Sequence, residues 1–184
     1  SPADTGLQRA TVADAQELAQ ALNRAGGALD AAMGRAEEGI VADVSAVNDR
    51  LGRIAALSER LASSGGNGEA PLSVHDALGA ELDALAEYMD VTTRTDGHGR
   101  MEVFTSGGTA LLTGGRPETL RFDAESGTLW AGSVDITPGV SGKRGISEGS
   151  ISGKVALYTT VLPEMQAQLD ETARALISGM EAAD

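Results

Sequence analysis

Every seventh residue from Met33 onward is apolar, through Ile40, Val47, Ile54 and Leu61. A repeat of that period over five places demands a long helix with a continuous buried seam. The same rhythm reaches back through Leu29, Gly26, Leu22, Ala19 and Ala15 to Val12. Asp43 and Arg50 fall where the second seam residue should stand, and Val44 and Leu51 take over one place later. The stripe therefore widens from a narrow seam to the broader face of a bundle helix. Asp4 or Thr5 can cap the start, and the run from Ser63 to Gly68, SSGGNG, ends it. A helix of about 55 residues would be a rod of roughly 80 Å. Gly26, Gly27, Gly34 and Gly39 are its weak points, each costing up to about 1 kcal/mol.

A second helix is expected from Ser73 to Asp90, where Ser73 and Asp76 form a capping-box pattern. Val74, Leu78, Leu82, Leu85 and Met89 trace its apolar face. From Val91 to about Ser152 the texture is different: VTTRT, RMEVF, TALLT, ETLRF and TLWA are short β-rich runs separated by glycine turns. Helical spacing returns at Val155, Tyr158, Leu162, Met165, Leu169, Leu176 and Met180. The expected fold is mainly α with a β insertion (α+β): an elongated antiparallel bundle with long first and last helices and a small β-hairpin unit. Residues 1–90 and 151–184 would build one rod, and residues 91–150 the β-rich subdomain. Its core is assigned to Met33, Ile40, Val47, Ile54 and Leu61, to Leu82 and Leu85, and to Leu162, Leu169 and Leu176 opposite.

Pro163 sits inside the last helical pattern, where it removes a backbone hydrogen bond and clashes with the carbonyl four residues back. Either the helix kinks there, or one helix ends near Thr160 and another begins around the proline. The unbroken apolar spacing favours the kink.

Composition narrows the function. With 27 acidic and 14 basic residues the net charge is -13, which opposes binding to a phosphate backbone or an anionic membrane. Between residues 65 and 90 there are six acids and no base. Cysteine is absent, which removes disulfide and thiolate chemistry. Aromatics make up 3% of the chain, too few for a thick globular core and suited to a thin bundle. No run approaches eighteen apolar residues, so no membrane span is expected, and the opening SPADTGLQRA lacks the pattern of a cleaved signal. A start at Ser1 without Met suggests a fragment of something longer.

Three motifs invite a chemical reading. Gly145–Gly149, GISEG, fits the G-x-S-x-G nucleophile elbow, but the preceding residues are polar and glycine-rich, and His75 and His98 both lie upstream. A turn leading into the last helix accounts for it. His75 with Asp76, and Asp96 with His98, lack the i, i+4 spacing of a helical ligand pair, and TDGHGR reads as a hairpin turn. The glycine pairs of TSGGTALLTGG lack the lysine and following helix of a phosphate loop. No catalytic, cofactor-binding or metal-binding residue is nominated.

The stretch GSISGKVALYTTVLPEMQAQLDETARAL resembles the flagellar hook-associated proteins of type 1, the FlgK hook-filament junction family. Its glycine-rich start, L-P step at Leu162 and Pro163, and Q-x-Q-L-D-x-x-A-x-x-L run through Gln166, Gln168, Leu169, Asp170, Ala173 and Leu176 carry the likeness. MEVFTSGGTALLTGG is similar to that family's strand, glycine turn and strand, and VSAVNDRLGRIAALSERL to its long helix. In place of the family's N-D-L-L-D-Q-R-D-like run stands LSVHDALGAELD, which keeps Asp76, Leu78, Leu82 and Asp83. The resemblance implies a non-enzymatic structural adaptor without cofactors, located in the extracellular flagellum and exported without a cleaved signal. Its implied partners are its own copies and neighbouring axial proteins, the hook protein and the second junction protein. Neither nucleic acid nor membrane is among them, and the fragment alone should be a monomer. The alternatives are a helical ligand-binding ectodomain of a membrane sensor and a hydrolase built on Ser147.

Overall fold

A computed structural model of the chain describes residues 2–64, 72–139 and 145–181, with side-chain surroundings for 12–64, 72–139 and 145–180. Gly65–Gly68 of the expected helix stop and residues 140–144 before the GISEG turn lie outside the described residues. The chain divides into two compact units: residues 1–35 with 158–184, and residues 36–157.

Helix α1 covers Pro2–Ser64, so Asp4 and Thr5 stand within its first turns. At its end the hydroxyls of Ser63 and Ser64 donate to the Arg60 carbonyl at 3.1 and 2.9 Å. Bonds of this kind satisfy the carbonyls that a helix terminus leaves unpaired. Helix α2 covers Leu72–Ala86 and stops short of the expected Asp90. The chain tightens after it, with the Tyr88 and Met89 amides both donating to the Leu85 carbonyl, at 3.0 and 3.3 Å. The carbonyls of Glu87 and Tyr88 are then spent elsewhere, as described below.

In the unit of residues 36–157, α1 buries Ala36, Ile40, Val44, Val47, Leu51, Ile54 and Ala55. Their spacing of three and four residues is that of a wide bundle face. Val74, Leu78, Leu85 and Met89 bury against the same core, with Ile151 and Val155. Full burial of an Ile or Leu side chain contributes about 1.5–3 kcal/mol, so this stripe supplies much of the unit's stability.

Among the described residues, seven strands follow α2. β1 (Val91–Thr95), β2 (Met101–Thr105), β3 (Ala110–Thr113) and β4 (Arg116–Pro117) form one antiparallel sheet in that order. β5 (Leu120–Asp123), β6 (Thr128–Ala131) and β7 (Val134–Asp135) form a second. The turn between β1 and β2 is TDGHGR, closed by the Asp96 amide on the Arg100 carbonyl at 2.8 Å, with Gly99 at φ 80°. Between β2 and β3 the register shifts at Val103 and Phe104, a bulge that leaves Leu111 and Leu112 both buried. Val103, Leu120, Leu129, Ala131, Ile136 and Ile146 complete the β core.

Helix α3 covers Ser150–Ala156, a π-helical turn Leu157–Val161, and α4 Leu162–Glu181. The three are contiguous, so the backbone stays helical up to and through Pro163. The proline is the second residue of α4 but follows helical residues directly, so it is interior to the helical run and lacks the free first turn that favours it. The wider π turn replaces the ordinary i to i−4 pattern over the residues with which the ring would clash.

In the unit of residues 1–35 and 158–184, Leu162 is the buried hydrophobic residue among those described. Met33, Leu169 and Leu176 are half-buried, and Leu169 Cδ2 lies 3.8 Å from where a Cβ on Gly26 would stand. Val12, the first residue of the seam, is 56% exposed. Two helices cover only a narrow strip of each other, and Val12 falls outside it. Of the remaining residues assigned to the core, Ile40, Val47, Ile54 and Leu85 are buried, and Leu61 and Leu82 are half-buried.

Candidate functional site

Polar residues interrupt the apolar face of α1, and each of them holds a different part of residues 36–157. Asp43, 8% exposed, accepts at Oδ2 from Lys154 Nζ and from the Ser150 hydroxyl, both at 2.7 Å. It thereby ties α3 to α1, and Lys154 Nζ also reaches the Gly39 carbonyl at 3.4 Å. Asn48 Nδ2 donates to the Leu120 carbonyl at 3.0 Å, and the Leu120 amide donates back to Asn48 Oδ1 at 2.8 Å. One side-chain amide thus stands in for a neighbouring strand beside β5.

Arg50 and Arg53 share Glu81 on α2, through Nη1 at 2.9 Å and Nε at 2.8 Å. Partial burial works against ionisation of Glu81, but the hydrogen bonds from Arg53 and Arg50 outweigh it and hold the carboxyl below the ordinary range. The Arg50 guanidinium also lies 5.7 Å from the Tyr88 ring centroid, within cation–π range. Ser58, almost fully buried, accepts the Met101 amide at 2.6 Å and so fixes the start of β2. Burying such groups is tolerable because each makes at least one hydrogen bond, although Arg50 Nε is buried without a partner among the described residues. Asp43 and Arg50 had read from sequence only as gaps in the seam. They are the residues that dock α3 and α2.

The GISEG turn is a second fastening point. Asp90, just after α2, accepts from the Ser147 hydroxyl at 2.7 Å, the Ser147 amide at 3.0 Å and the Glu148 amide at 3.3 Å, and from the Ser106 hydroxyl. Partial burial alone would raise its pKa, but the hydrogen bonds from Ser106, Ser147 and Glu148 prevail and lower it from 3.8 to about 2. Just beyond, the Ser150 amide donates to the Glu87 carbonyl at 3.0 Å and the Ile151 amide to the Tyr88 carbonyl at 3.2 Å. The unpaired donors at the start of α3 thereby meet the unpaired acceptors after α2. The approach is so close that a Cβ on Gly149, whose φ is 93°, would lie 2.4 Å from the Tyr88 carbonyl carbon and oxygen.

Ser147 is therefore held by a carboxylate, and no elbow strand precedes it among the described residues. His75 is exposed on α2, and His98 is 78% exposed in the β1–β2 turn, where its amide donates to Asp96 Oδ1 at 2.8 Å. No group of three or more metal-ligating side chains occurs among the described residues. Nor is any described helix long and apolar enough to cross a membrane.

The low pKa of Asp90 makes its contribution pH-dependent. Since the folded value lies below the unfolded one, the stabilisation is complete above about pH 4 and is lost as pH falls toward about 2. Allowing for partial exposure, about 1–2 kcal/mol is at stake. Chemical denaturation of Asp90→Asn should therefore show a deficit of that size at pH 6 that shrinks toward zero by pH 2. A deficit independent of pH would contradict the assignment.

These contacts each fasten one element of residues 36–157 to another. A family model described as "Flagellar hook-associated protein FlgK helical domain" matches residues 1–184. Among solved structures, the chain is similar to the flagellar hook junction protein FlgK from Burkholderia pseudomallei, with 24% identity and a TM-score of 0.69. The likeness covers 85% of this chain and 29% of that one, so it bears on the fold, and the chain spans under a third of that relative's length. Comparison with curated proteins gave no match.

Proposed function

The chain belongs to the FlgK helical-domain family, and on that premise we propose that it is a structural part of the bacterial flagellum, in the adaptor that joins hook to filament. The observation that carries this reading is the family match along the whole chain, from residue 1 to 184. The similarity in fold to the Burkholderia protein supports it. So does the use of polar side chains as fasteners, since a rigid packing body is what a joint between two axial structures needs. The role is non-enzymatic, and the partners are neighbouring axial proteins, the hook protein and the second junction protein among them. Residues 91–150 would serve as a β-rich appendage of the adaptor. The place of action is the extracellular flagellum, reached by export without a cleaved signal. The sensor alternative gains no support from the family match.

Electron microscopy of cells with the gene disrupted, together with an assay of flagellin in the medium, tests the proposal. Hooks bare of filaments and flagellin shed outside, both reversed by the full-length gene, are the expected results. Normal filaments combined with lost chemotaxis would overturn the junction role and favour the sensor.

A further inference from the structure

The two compact units differ sharply in how much they bury, although α1 contributes to both. Within residues 36–157, α1 leaves Ile40, Val47, Leu51 and Ile54 with no exposure at all. Asp43, Asn48, Arg50 and Ser58 add bonds from the same stretch to elements distant in sequence. Within residues 1–35 and 158–184 the large apolar side chains Val12, Leu18, Met165, Ile177 and Met180 are 43–57% exposed, and Leu162 is the buried one among the described residues. The hydrogen bonds Gln166–Asp170 and Thr172–Gln168 lie within α4 itself.

Local propensity also weakens this unit. Gly26, Gly27 and Gly34 lie in the first half of α1, and a Cβ on Gly27 or Gly34 would meet nothing within 4 Å. Among the described residues those two glycines therefore serve no close approach, and each lowers helix stability relative to alanine. Helices without a packed face are marginal in water, because the cost of nucleation is recovered chiefly through tertiary burial. At the other boundary, the change from residues 36–157 to residues 158–184 falls inside the π-helical turn Leu157–Val161. That turn lacks the ordinary hydrogen-bond register, so fraying that starts in α4 has a place to stop short of α3.

We propose that residues 2–35 and 158–181 form a separate cooperative unit, which opens and closes while residues 36–157 stay folded, so that α1 melts in two halves. Regions with few buried apolar contacts open at lower free energy than the core to which they are joined. The chain would thus carry a helix pair that changes state without dissolving the body. The inference rests on burial and propensity and is independent of the proposed junction role.

Hydrogen exchange followed by mass spectrometry on the 184-residue chain tests it, alongside urea unfolding read by two probes. Trp130 is the single tryptophan and lies in the unit of residues 36–157, so its fluorescence reports that unit, whereas far-UV circular dichroism reports all helices. Amides of residues 12–35 and 162–180 should exchange about a hundredfold faster, or more, than those of residues 40–58. Helical signal should be lost at lower urea than the tryptophan change. Gly27→Ala combined with Gly34→Ala should slow exchange about tenfold or more in the first group and leave residues 40–58 unchanged. Equal protection along α1 with coincident transitions would overturn the proposal, as would alanine variants that slow both halves alike.

Discussion

Gly149→Ala should be among the most damaging single substitutions in the chain, lowering stability by about 3 kcal/mol or more. Two costs add. A residue with a side chain is strained at a φ of 93°, and its Cβ would lie 2.4 Å from the Tyr88 carbonyl carbon and oxygen and 2.6 Å from the Met89 nitrogen. Neither neighbour can yield as the end of a flexible side chain would, because both are backbone. Relief requires α3 to withdraw from the end of α2, which breaks the Ser150–Glu87 and Ile151–Tyr88 bonds and pulls Ser147 from Asp90. Gly27→Ala makes the control, since its added methyl meets nothing and should stabilise by up to about 1 kcal/mol. Urea denaturation of both variants, followed by Trp130 fluorescence and circular dichroism, checks the pair. A Gly149→Ala protein within about 0.5 kcal/mol of the parent would show that the α2–α3 junction tolerates separation.

The same residue shows where sequence reading stops. GISEG matches a catalytic pattern as spacing, and its context argued for a turn. The reason for its glycines could not be read locally. Gly145 would place a Cβ 2.4 Å from the Thr137 carbonyl oxygen a short way upstream, and Gly149 meets Tyr88, which is distant in the chain. The long helix, the β1–β2 hairpin at TDGHGR and the helical return were legible because each follows from periodicity or turn chemistry within a dozen residues. The two-residue strands β4 and β7 are too short to leave a pattern, and α2 ends early because its following carbonyls bond α3. The polar seam residues are the clearest case. Asp43 and Arg50 appeared as interruptions, while the partners that explain them, Lys154 and Glu81, stand 111 and 31 residues away. The apolar rhythm shows which face of α1 is buried, but not which element each polar break receives.

Asn48 offers the second large effect, and one with a chemical signature. The Gly132 amide bonds the Thr119 carbonyl at 3.0 Å, which makes Leu120 and Ala131 a non-hydrogen-bonded pair of the β5–β6 ladder. The N–H and C=O of Leu120 therefore point away from β6, and the Asn48 amide meets both. Asn48→Ala removes two bonds and leaves a donor and an acceptor unpaired beside a buried leucine, at a cost of about 2–4 kcal/mol. For a chain of this size that corresponds to a drop in Tm of about 5–12 °C. Asn48→Asp sharpens the test. A carboxylate still accepts from the Leu120 amide but turns a second negative oxygen toward the Leu120 carbonyl, so the variant should be at least as unstable as alanine near pH 7. Protonation restores a donor, which means that the folded state raises the carboxyl pKa and the penalty falls as pH drops through that raised value to the ordinary one. Thermal melts of parent, Asn48→Ala and Asn48→Asp at pH 7 and pH 4 should therefore show the Asp variant gaining on the Ala variant in acid. Parallel pH curves for the two variants would mean that the amide's donor is dispensable, and that β5 is held to α1 by packing of Leu120 alone.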